Sequence, residues 1–192
     1  MKKWNELPKV MQNDKVKYYY DILQEHEKEL KLKRAFDIIC SLIMIIILSP
    51  VLIILSVMIK LDSKGPVLFK QVRVTTYGRK FKIWKFRTMV NNADKLGTQV
   101  TTKGDARITR MGHLLRKIRL DELPQLFNVL KGDMTFVGTR PEVPKYTAHY
   151  TEEMMATFLM PAGVTSRTSI EYKDEEKLLE NAENADEVYI NE

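Results

Sequence analysis

The hydrophobic positions of this chain are concentrated in one run, residues 38–59, in which 22 consecutive residues carry no charge. A helix of this length is about 33 Å long, close to the hydrocarbon thickness of a bilayer. The run begins well inside the chain and no small-residue cleavage site follows it, so it is unlike a signal peptide. The pattern predicts a membrane-embedded protein and argues against a fully soluble enzyme.

Ser49 and Pro50 lie at the middle of this run. Proline interrupts or kinks a helix because it lacks an N–H donor and crowds the preceding turn. Basic residues flank the run on both sides, whereas a spanning helix normally has its positive flank on one side. These residues are Lys31, Lys33 and Arg34 before the run and Lys60 and Lys64 after it. The two basic flanks favour a broken, re-entrant helix with both ends on the cytoplasmic side. A kinked spanning helix is the alternative.

Shorter patterns predict the remaining elements. They are a surface helix from about Asp14, a hairpin of strands 67–75 and 80–86 around Tyr77 and Gly78, and helices over 110–120, 122–130 and 144–159. Lys131 and Gly132 suit the end of the helix over 122–130. The predicted fold class is α+β and mostly helical. The predicted domains are an N-terminal polar helical segment (1–32), a re-entrant membrane helix (33–61) and a cytoplasmic catalytic domain at the membrane interface (62–192).

Charge is unevenly distributed along the chain, although the overall net charge is only +6. Residues 60–119 hold 16 Lys and Arg against three Asp, and residues 171–192 have a net charge of −7. A strongly basic block indicates an anionic partner, which is a nucleic acid, an anionic lipid or a phosphorylated substrate. Beside a membrane segment, lipid phosphates are favoured over nucleic acid. The single cysteine, Cys40, excludes an internal disulfide framework and a cysteine-rich zinc site.

Asp121 and Glu122 are the sharpest candidates for chemistry, and two interpretations apply to them. Acidic residues at a helix start commonly act as caps. Alternatively, an ionised Asp attacks phosphorus and a neighbouring Glu holds Mg²⁺, which prefers oxygen ligands and shares them with substrate phosphates. Nearby cations and the helix dipole are expected to keep Asp121 ionised. Asp37, at the entry to the apolar run, is expected to pair with Lys33 or Arg34.

Several cations are candidates for binding phosphate. Arg116 precedes the acidic pair, Arg140 lies in a loop stiffened by two prolines, and Lys85 and Arg87 belong to a stretch in which basic and aromatic residues alternate. A phosphate site fits these cations. The glycines form neither a dinucleotide-binding nor a P-loop pattern.

Taken together, the motifs resemble the bacterial sugar transferases of the monotopic phosphoglycosyl transferase superfamily. The matching motifs are KRAFD at 33–37, the apolar run with Ser49 and Pro50, GPVLFKQVRV from 65, KFRTM at 85–89, GDARITRMG at 104–112, LDELPQLFNVLKGDM at 120–134 and VGTRP at 137–141. The resemblance implies transfer of a sugar 1-phosphate from a UDP-sugar to undecaprenyl phosphate, with release of UMP, as the first membrane step of capsule, exopolysaccharide or O-antigen synthesis. It implies a location at the cytoplasmic face of the bacterial inner membrane, among membrane lipids and downstream glycosyltransferases.

The resemblance also implies roles for individual residues. Asp121 is expected to be the nucleophile that forms a phosphosugar-aspartyl intermediate, and Glu122 to bind Mg²⁺. Arg116 and Arg140 are expected to lie at the phosphate site, and Ser49 and Pro50 at the helix break. The expected membrane anchor consists of Lys33, Arg34 and Asp37.

Two departures from the family pattern bear on these expectations. Thr139 stands where many members have proline, and the chain ends at Glu192, before a further interface segment that relatives usually have. A truncated, inactive membrane scaffold is therefore an alternative reading, and a membrane-tethered nucleic-acid binder is another. The motifs leave the identity of the sugar open.

Overall fold

The computed structural model describes residues 1–93 and 105–166, so the acidic stretch 171–192 lies outside the described residues. Its helices and strands, in chain order, are α1 (Asp14–Glu25), α2 (Glu27–Asp62), β1 (Leu68–Thr75), β2 (Arg79–Phe86), α3 (Arg110–Lys117), α4 (Gln125–Lys131), β3 (Met134–Val137), α5 (Pro144–Thr147) and β4 (Ala162–Thr165). Short 3-10 turns include Thr76–Gly78, Leu120–Glu122 and Met154–Leu159. The predicted class, mostly helical with a small β-hairpin, is confirmed.

Helix α2 contains the whole apolar run. Among the described residues it is the one helix long and apolar enough to cross a membrane, and 11% of its most apolar 18-residue stretch is buried. The sequence predicts two helices separated at Ser49 and Pro50, but α2 continues through both residues. A proline removes one hydrogen bond and can bend a helix without ending it. The predicted break is therefore wrong as a change of secondary structure, and the re-entrant path stays a prediction.

Strands β1 and β2 form a two-stranded sheet, as the sequence predicts. The turn between them places Tyr77 and Gly78 at φ of 58° and 71°, the left-handed region that tight hairpin turns use. Tyr77 is unusual there, and its hydroxyl accepts a hydrogen bond from the Lys2 backbone N–H at 3.0 Å. Contact with the N-terminal residues therefore accompanies the strained position of this side chain.

The sequence does not predict the second sheet. Strands β3 and β4 pair in parallel, with Met134 opposite Ala162 and Val137 opposite Thr165. The strands have four residues each, too few for an alternating pattern to be recognised. The predicted helix over 144–159 is also wrong, because only α5 and the separate 3-10 turn Met154–Leu159 form there. Packing of Phe158 and Leu159 into a core, rather than helical periodicity, explains their spacing.

The chain groups into two compact units. The first unit consists of Met1–Ile47, Gln71–Ile83 and Gln125–Ser166; the second unit consists of Leu48–Lys70 and the described part of Trp84–Pro124. The consecutive domains 1–32, 33–61 and 62–192 stay a prediction.

The first unit has two hydrophobic clusters. In one, the N-terminal segment 1–25 packs on β1 and on the 3-10 turn near residue 158; its buried members are Leu7, Met11, Val16, Tyr20, Val74, Phe158 and Leu159. The other cluster lies under β2, α4 and β3 and buries Phe81, Ile83, Val129 and Met134. Side-chain hydrogen bonds reinforce the first cluster, since Asn13 Nδ2 donates to the Glu152 carbonyl at 3.4 Å and Tyr19 Oη donates to Glu153 Oε1 at 2.9 Å. Residues 1–25 are thus an integral part of this unit.

The second unit buries Leu55, Ile59, Phe86 and Leu115 in one cluster. The end of α2, the end of β2 and helix α3 all contribute to it. Polar contacts join the same elements, because Asp62 Oδ2 accepts a hydrogen bond from the Met111 backbone N–H at 3.2 Å. The C-terminal end of the apolar helix is therefore fastened to the N-terminal turn of α3.

Candidate active site

Asp121 and Glu122 lie in the 3-10 turn Leu120–Glu122, between α3 and α4. Arg119, immediately before the turn, has a left-handed φ of 55°, which separates the turn from α3. The sequence predicts a helix that begins at Glu122 with Asp121 as its cap, but α4 begins only at Gln125. Capping of α4 therefore does not account for this acidic pair. Both side chains are half-buried.

Lys85 is the partner of Glu122. Its Nζ lies 2.7 Å from Glu122 Oε1, and the two side chains are only 22% and 17% exposed. Such a charge-assisted hydrogen bond is short and strong in a half-buried setting. The sequence places Lys85 among the phosphate-binding cations, and the structure brings it to the acidic pair, within the second unit.

Burial raises the pKa of the Asp121 carboxyl above its usual range. Lys85 and Arg116 oppose this change, and the negative charge of Glu122 adds to it. Desolvation thus outweighs the attraction of these cations, and the expectation that Asp121 is ionised stays a prediction. A carboxyl perturbed by burial and by a like charge is typical of a functional site.

Arg116, in the last turn of α3, is held by a hydroxyl. Its Nε donates to Thr88 Oγ1 at 2.9 Å. Thr88 follows β2 and is buried. Its own carbonyl accepts a hydrogen bond from the Thr109 backbone N–H at 3.0 Å, at the cap of α3. The predicted phosphate-binding arginine is thus attached to the end of the strand that carries Lys85.

Arg87 has a different environment from that expected for a phosphate-binding residue. It is 5% exposed, and its guanidinium donates to the backbone carbonyls of Ser63 and Lys64 at 2.6 and 2.9 Å and to Ser63 Oγ at 2.8 Å. These carbonyls follow the end of α2, where helices commonly leave acceptors unsatisfied. The contacts give Arg87 a structural role at the exit of the apolar helix, and we do not assign it to substrate.

Arg140 lies in the first unit, in the loop after β3. Its side chain is exposed and makes no hydrogen bond or ion pair with any residue in the described ranges. The loop around it is fixed by backbone pairing, since the Gly163 N–H donates to the Thr139 carbonyl at 2.8 Å and the Gly138 N–H donates to the Thr165 carbonyl at 3.0 Å. The loop is thus held in place although Thr139 replaces the usual proline.

Two of the three predicted anchor residues, Lys33 and Asp37, pair with each other in the first unit. Asp37 is 3% exposed and accepts hydrogen bonds from Thr135 Oγ1 at 2.6 Å and the Phe136 N–H at 3.3 Å, with Lys33 Nζ 3.4 Å away. The predicted pairing of Asp37 with Lys33 is confirmed.

Arg34 instead donates to the last carbonyls of α4. Its Nη1 lies 2.6 Å from the Val129 oxygen and its Nη2 lies 2.9 Å from the Leu130 oxygen. Gly132 follows at a φ of 87°, the left-handed conformation that commonly ends a helix. The start of the apolar helix is therefore joined to α4 and β3, whereas membrane anchoring itself stays a prediction.

The acidic pair also bears on the predicted magnesium ion. No group of three or more His, Cys, Asp or Glu side chains arranged to hold a metal occurs within residues 1–93 and 105–166. Mg²⁺, however, usually takes one or two protein carboxylates and completes its shell with water and substrate phosphates. The hard oxygen donors of Asp121 and Glu122 fit this pattern.

Sequence reasoning missed Thr88 and Asp62. Both are polar residues at the ends of elements, where side chains commonly bond to neighbouring backbone or charged groups. In the motif KFRTM, Thr88 stands between a cation and a methionine. These neighbours do not indicate that the Thr88 hydroxyl faces Arg116. Their roles depend on tertiary contacts with α3 and carry no local signal.

Comparison with known proteins gives a consistent result. The model of the family described as bacterial sugar transferase matches residues 28–192. The chain is 46% identical over 123 residues to the UDP-N-acetylgalactosamine-undecaprenyl-phosphate N-acetylgalactosaminephosphotransferase of Aeromonas hydrophila. The matched region covers 64% of this chain and 29% of that protein. The chain is 40% identical over 157 residues to the UDP-glucose:undecaprenyl-phosphate glucose-1-phosphate transferase of Klebsiella pneumoniae, covering 79% of this chain and 33% of the relative.

A third relative is the exopolysaccharide production protein PSS of Rhizobium leguminosarum bv. phaseoli. It is 50% identical over 113 residues, 58% of this chain and 56% of that protein. The chain thus spans about a third or less of the Aeromonas and Klebsiella relatives and somewhat more than half of the Rhizobium protein.

Proposed function

Because the chain belongs to the bacterial sugar transferase family, we propose that it transfers a sugar 1-phosphate from a UDP-sugar to undecaprenyl phosphate. In the first step an Asp121 carboxylate oxygen attacks the phosphorus bonded to the sugar. The bond from that phosphorus to the bridging oxygen breaks, and UMP leaves with the electron pair. In the second step an oxygen of the lipid phosphate attacks the same phosphorus. The aspartyl–phosphorus bond breaks, which gives the lipid diphosphate sugar and restores the Asp121 carboxylate.

One observation carries this proposal: the acidic pair at 121–122 lies in a half-buried turn with an ammonium group 2.7 Å from Glu122. A carboxylate nucleophile divides one difficult displacement into two easier ones. Cations around the transferring phosphoryl group stabilise the charge that develops on its oxygens. Lys85 and Arg116 both act electrostatically on Asp121, which supports their assignment to this role.

We assign Glu122 to the binding of Mg²⁺. When bound, this ion would neutralise charge on the phosphates of the donor. Lys85 orients the Glu122 carboxylate through its hydrogen bond. Arg140 is proposed to bind a substrate phosphate, which its exposure and its fixed loop support.

The lipid acceptor requires a site at a membrane. Helix α2 supplies the apolar segment, and its basic flanks at both ends support a re-entrant path with the catalytic residues at the cytoplasmic face. The relatives act on undecaprenyl phosphate by name, and one is named for exopolysaccharide production. We propose the same lipid and the same type of glycan assembly here.

The test is UMP release by the full chain in nanodiscs, with undecaprenyl phosphate, Mg²⁺ and a pool of UDP-sugars. The pool contains UDP-N-acetylgalactosamine and UDP-glucose, the donors in the names of two relatives. Asp121→Asn is expected to lower the rate by at least about a thousandfold, because removal of a nucleophile commonly costs this much.

Asp21→Asn is the matched control, since Asp21 is an exposed acid on α1. It is expected to retain full activity. Equal rates for Asp121→Asn and the native chain would contradict the proposed nucleophile. Absence of release from the native chain, with or without Mg²⁺, would favour the membrane scaffold instead.

A further inference from the structure

The geometry points to Thr88 as a positioning residue that fixes the guanidinium of Arg116 for phosphate binding. This inference rests on the proposed function, which assigns Arg116 to a donor phosphate. The contact that carries it is the hydrogen bond from Arg116 Nε to Thr88 Oγ1 at 2.9 Å. An arginine side chain is long and rotates freely, whereas its planar fork must be oriented to bind a phosphate through two parallel bonds. A bond at Nε sets the plane of that fork.

Thr88 is itself firmly held. It is 8% exposed, and its carbonyl accepts the Thr109 N–H at the cap of α3. Helix α3 packs directly on the Thr88 backbone at Gly112, where an added Cβ would lie 2.0 Å from the Thr88 oxygen. Next to Thr88, Met89 pairs with Ile108 in an antiparallel bridge. The segment after β2 therefore contacts α3 at its beginning through backbone and in its last turn through the Thr88 hydroxyl.

The same strand end reaches the acidic pair by a second route. Lys85, three residues before Thr88, contacts Glu122. Residues 85–88 thus position one cation against the acidic pair and orient a second cation on α3. A β-branched hydroxyl suits this task, because threonine has restricted rotation about χ1 and presents its oxygen in a fixed direction. Valine has nearly the same shape without the acceptor, and serine keeps the acceptor.

The experiment measures both binding and turnover in the full chain in nanodiscs. UDP is the probe, because it carries the phosphates common to all candidate donors. Calorimetry in the presence of Mg²⁺ measures its dissociation constant for each variant. The variants are Thr88→Val, Thr88→Ser, Arg116→Gln and the double variant Thr88→Val with Arg116→Gln. Thermal unfolding of each variant gives the accompanying change in stability.

Thr88→Val is expected to weaken UDP binding about tenfold and to raise KM for the donor similarly, the size expected for a lost hydrogen bond to a charged group. Thr88→Ser is expected to stay within about twofold of the native chain. In the Arg116→Gln background, Thr88→Val is expected to have no further effect, because residues in one hydrogen-bonded pair are not additive.

Three results would overturn the inference: equal loss in Thr88→Val and Thr88→Ser, additive effects of Thr88→Val and Arg116→Gln, or UDP binding that is unchanged in Arg116→Gln. If Asp121-dependent UMP release is normal in any of these cases, the proposed function stands and only the positioning role fails. If the native chain releases no UMP while Thr88→Val still weakens UDP binding and Thr88→Ser does not, the proposed function fails and the positioning role stands.

Discussion

The surroundings of Asp37 and of Asp121 use similar residue types and differ in how well the acid is compensated. Asp37 is almost fully buried and accepts hydrogen bonds from a hydroxyl and a backbone N–H, with Lys33 beside it. Asp121 is half-buried, and its pKa is raised because burial outweighs the attraction of Lys85 and Arg116. A buried acid with a full set of donors stabilises the fold, whereas an acid that its surroundings leave incompletely compensated is available for chemistry.

The largest expected effect in this comparison concerns stability. Asp37→Asn removes the charge opposite Lys33 and sets an amide against the Thr135 and Phe136 donors, so it is expected to lower the free energy of unfolding by about 3 kcal/mol. Asp121→Asn removes an incompletely compensated charge and is expected to change stability by less than about 1 kcal/mol.

Urea unfolding of both variants in the same detergent measures this difference. The specific activity of folded Asp37→Asn is expected to remain close to that of the native chain, while Asp121→Asn is inactive. Equal destabilisation by the two substitutions would remove the distinction between the two acids.

Sequence reasoning found the residues of both acidic clusters but not their environments. The alternation around Tyr77 and Gly78 predicts the hairpin, and the spacing of Lys33 and Asp37 by four residues predicts their pairing, because both signals are local. The partners of Asp37 on β3, by contrast, lie about a hundred residues away in a four-residue strand that has no pattern of its own.

The same limit explains why the sequence does not indicate the surroundings of two residues at the site. Arg87 has the composition of a phosphate-binding residue, but its neighbour in space is the end of α2, which no sequence pattern places there. The pKa of Asp121 depends on how deeply a 3-10 turn is buried, and this depth follows from packing in the second unit. Long-range contacts therefore determine the surroundings of both Arg87 and Asp121.

A second prediction sharpens the chemical side of the comparison. Lys85→Met removes the cation that contacts Glu122 and acts on Asp121, and it is expected to lower kcat/KM for UMP release at least about tenfold. Lys82→Met is the matched control, because Lys82 is an exposed lysine on the same strand. A similar loss of activity in both variants would show that the general positive charge of the strand, rather than the contact with Glu122, is responsible.

The smallest expected effect involves Asp105, an acid that is fully engaged by one partner. Arg107 donates to its carboxylate from Nε at 2.9 Å and from Nη2 at 2.6 Å, and these bonds lower the pKa of Asp105 to about 2. Because this pKa is below that of an unfolded aspartate, ionised Asp105 stabilises the fold above about pH 4. The contribution is lost as the pH falls through about 2.

Asp105→Asn is therefore expected to lower the unfolding midpoint at pH 7 by a few degrees or less and to have little effect near pH 2. Thermal unfolding across this range checks the prediction. A destabilisation that is independent of pH would mean that packing, and not the charge of Asp105, is responsible, and Asp105 would no longer belong with the compensated acids.

The packing of the N-terminal segment also has a consequence for how the chain is made. Asn13 contacts Glu152, 139 residues later, and the cluster around Met11 and Tyr20 is completed only by Phe158 and Leu159. At a synthesis rate of about 5–20 residues per second, roughly ten seconds separate the emergence of these two surfaces from the ribosome. During that interval the cluster lacks Phe158 and Leu159, although Val74 of β1 is made earlier, and α2 is made before the cluster is complete. Synthesis of the apolar helix thus precedes completion of the core that its own N-terminal neighbour requires.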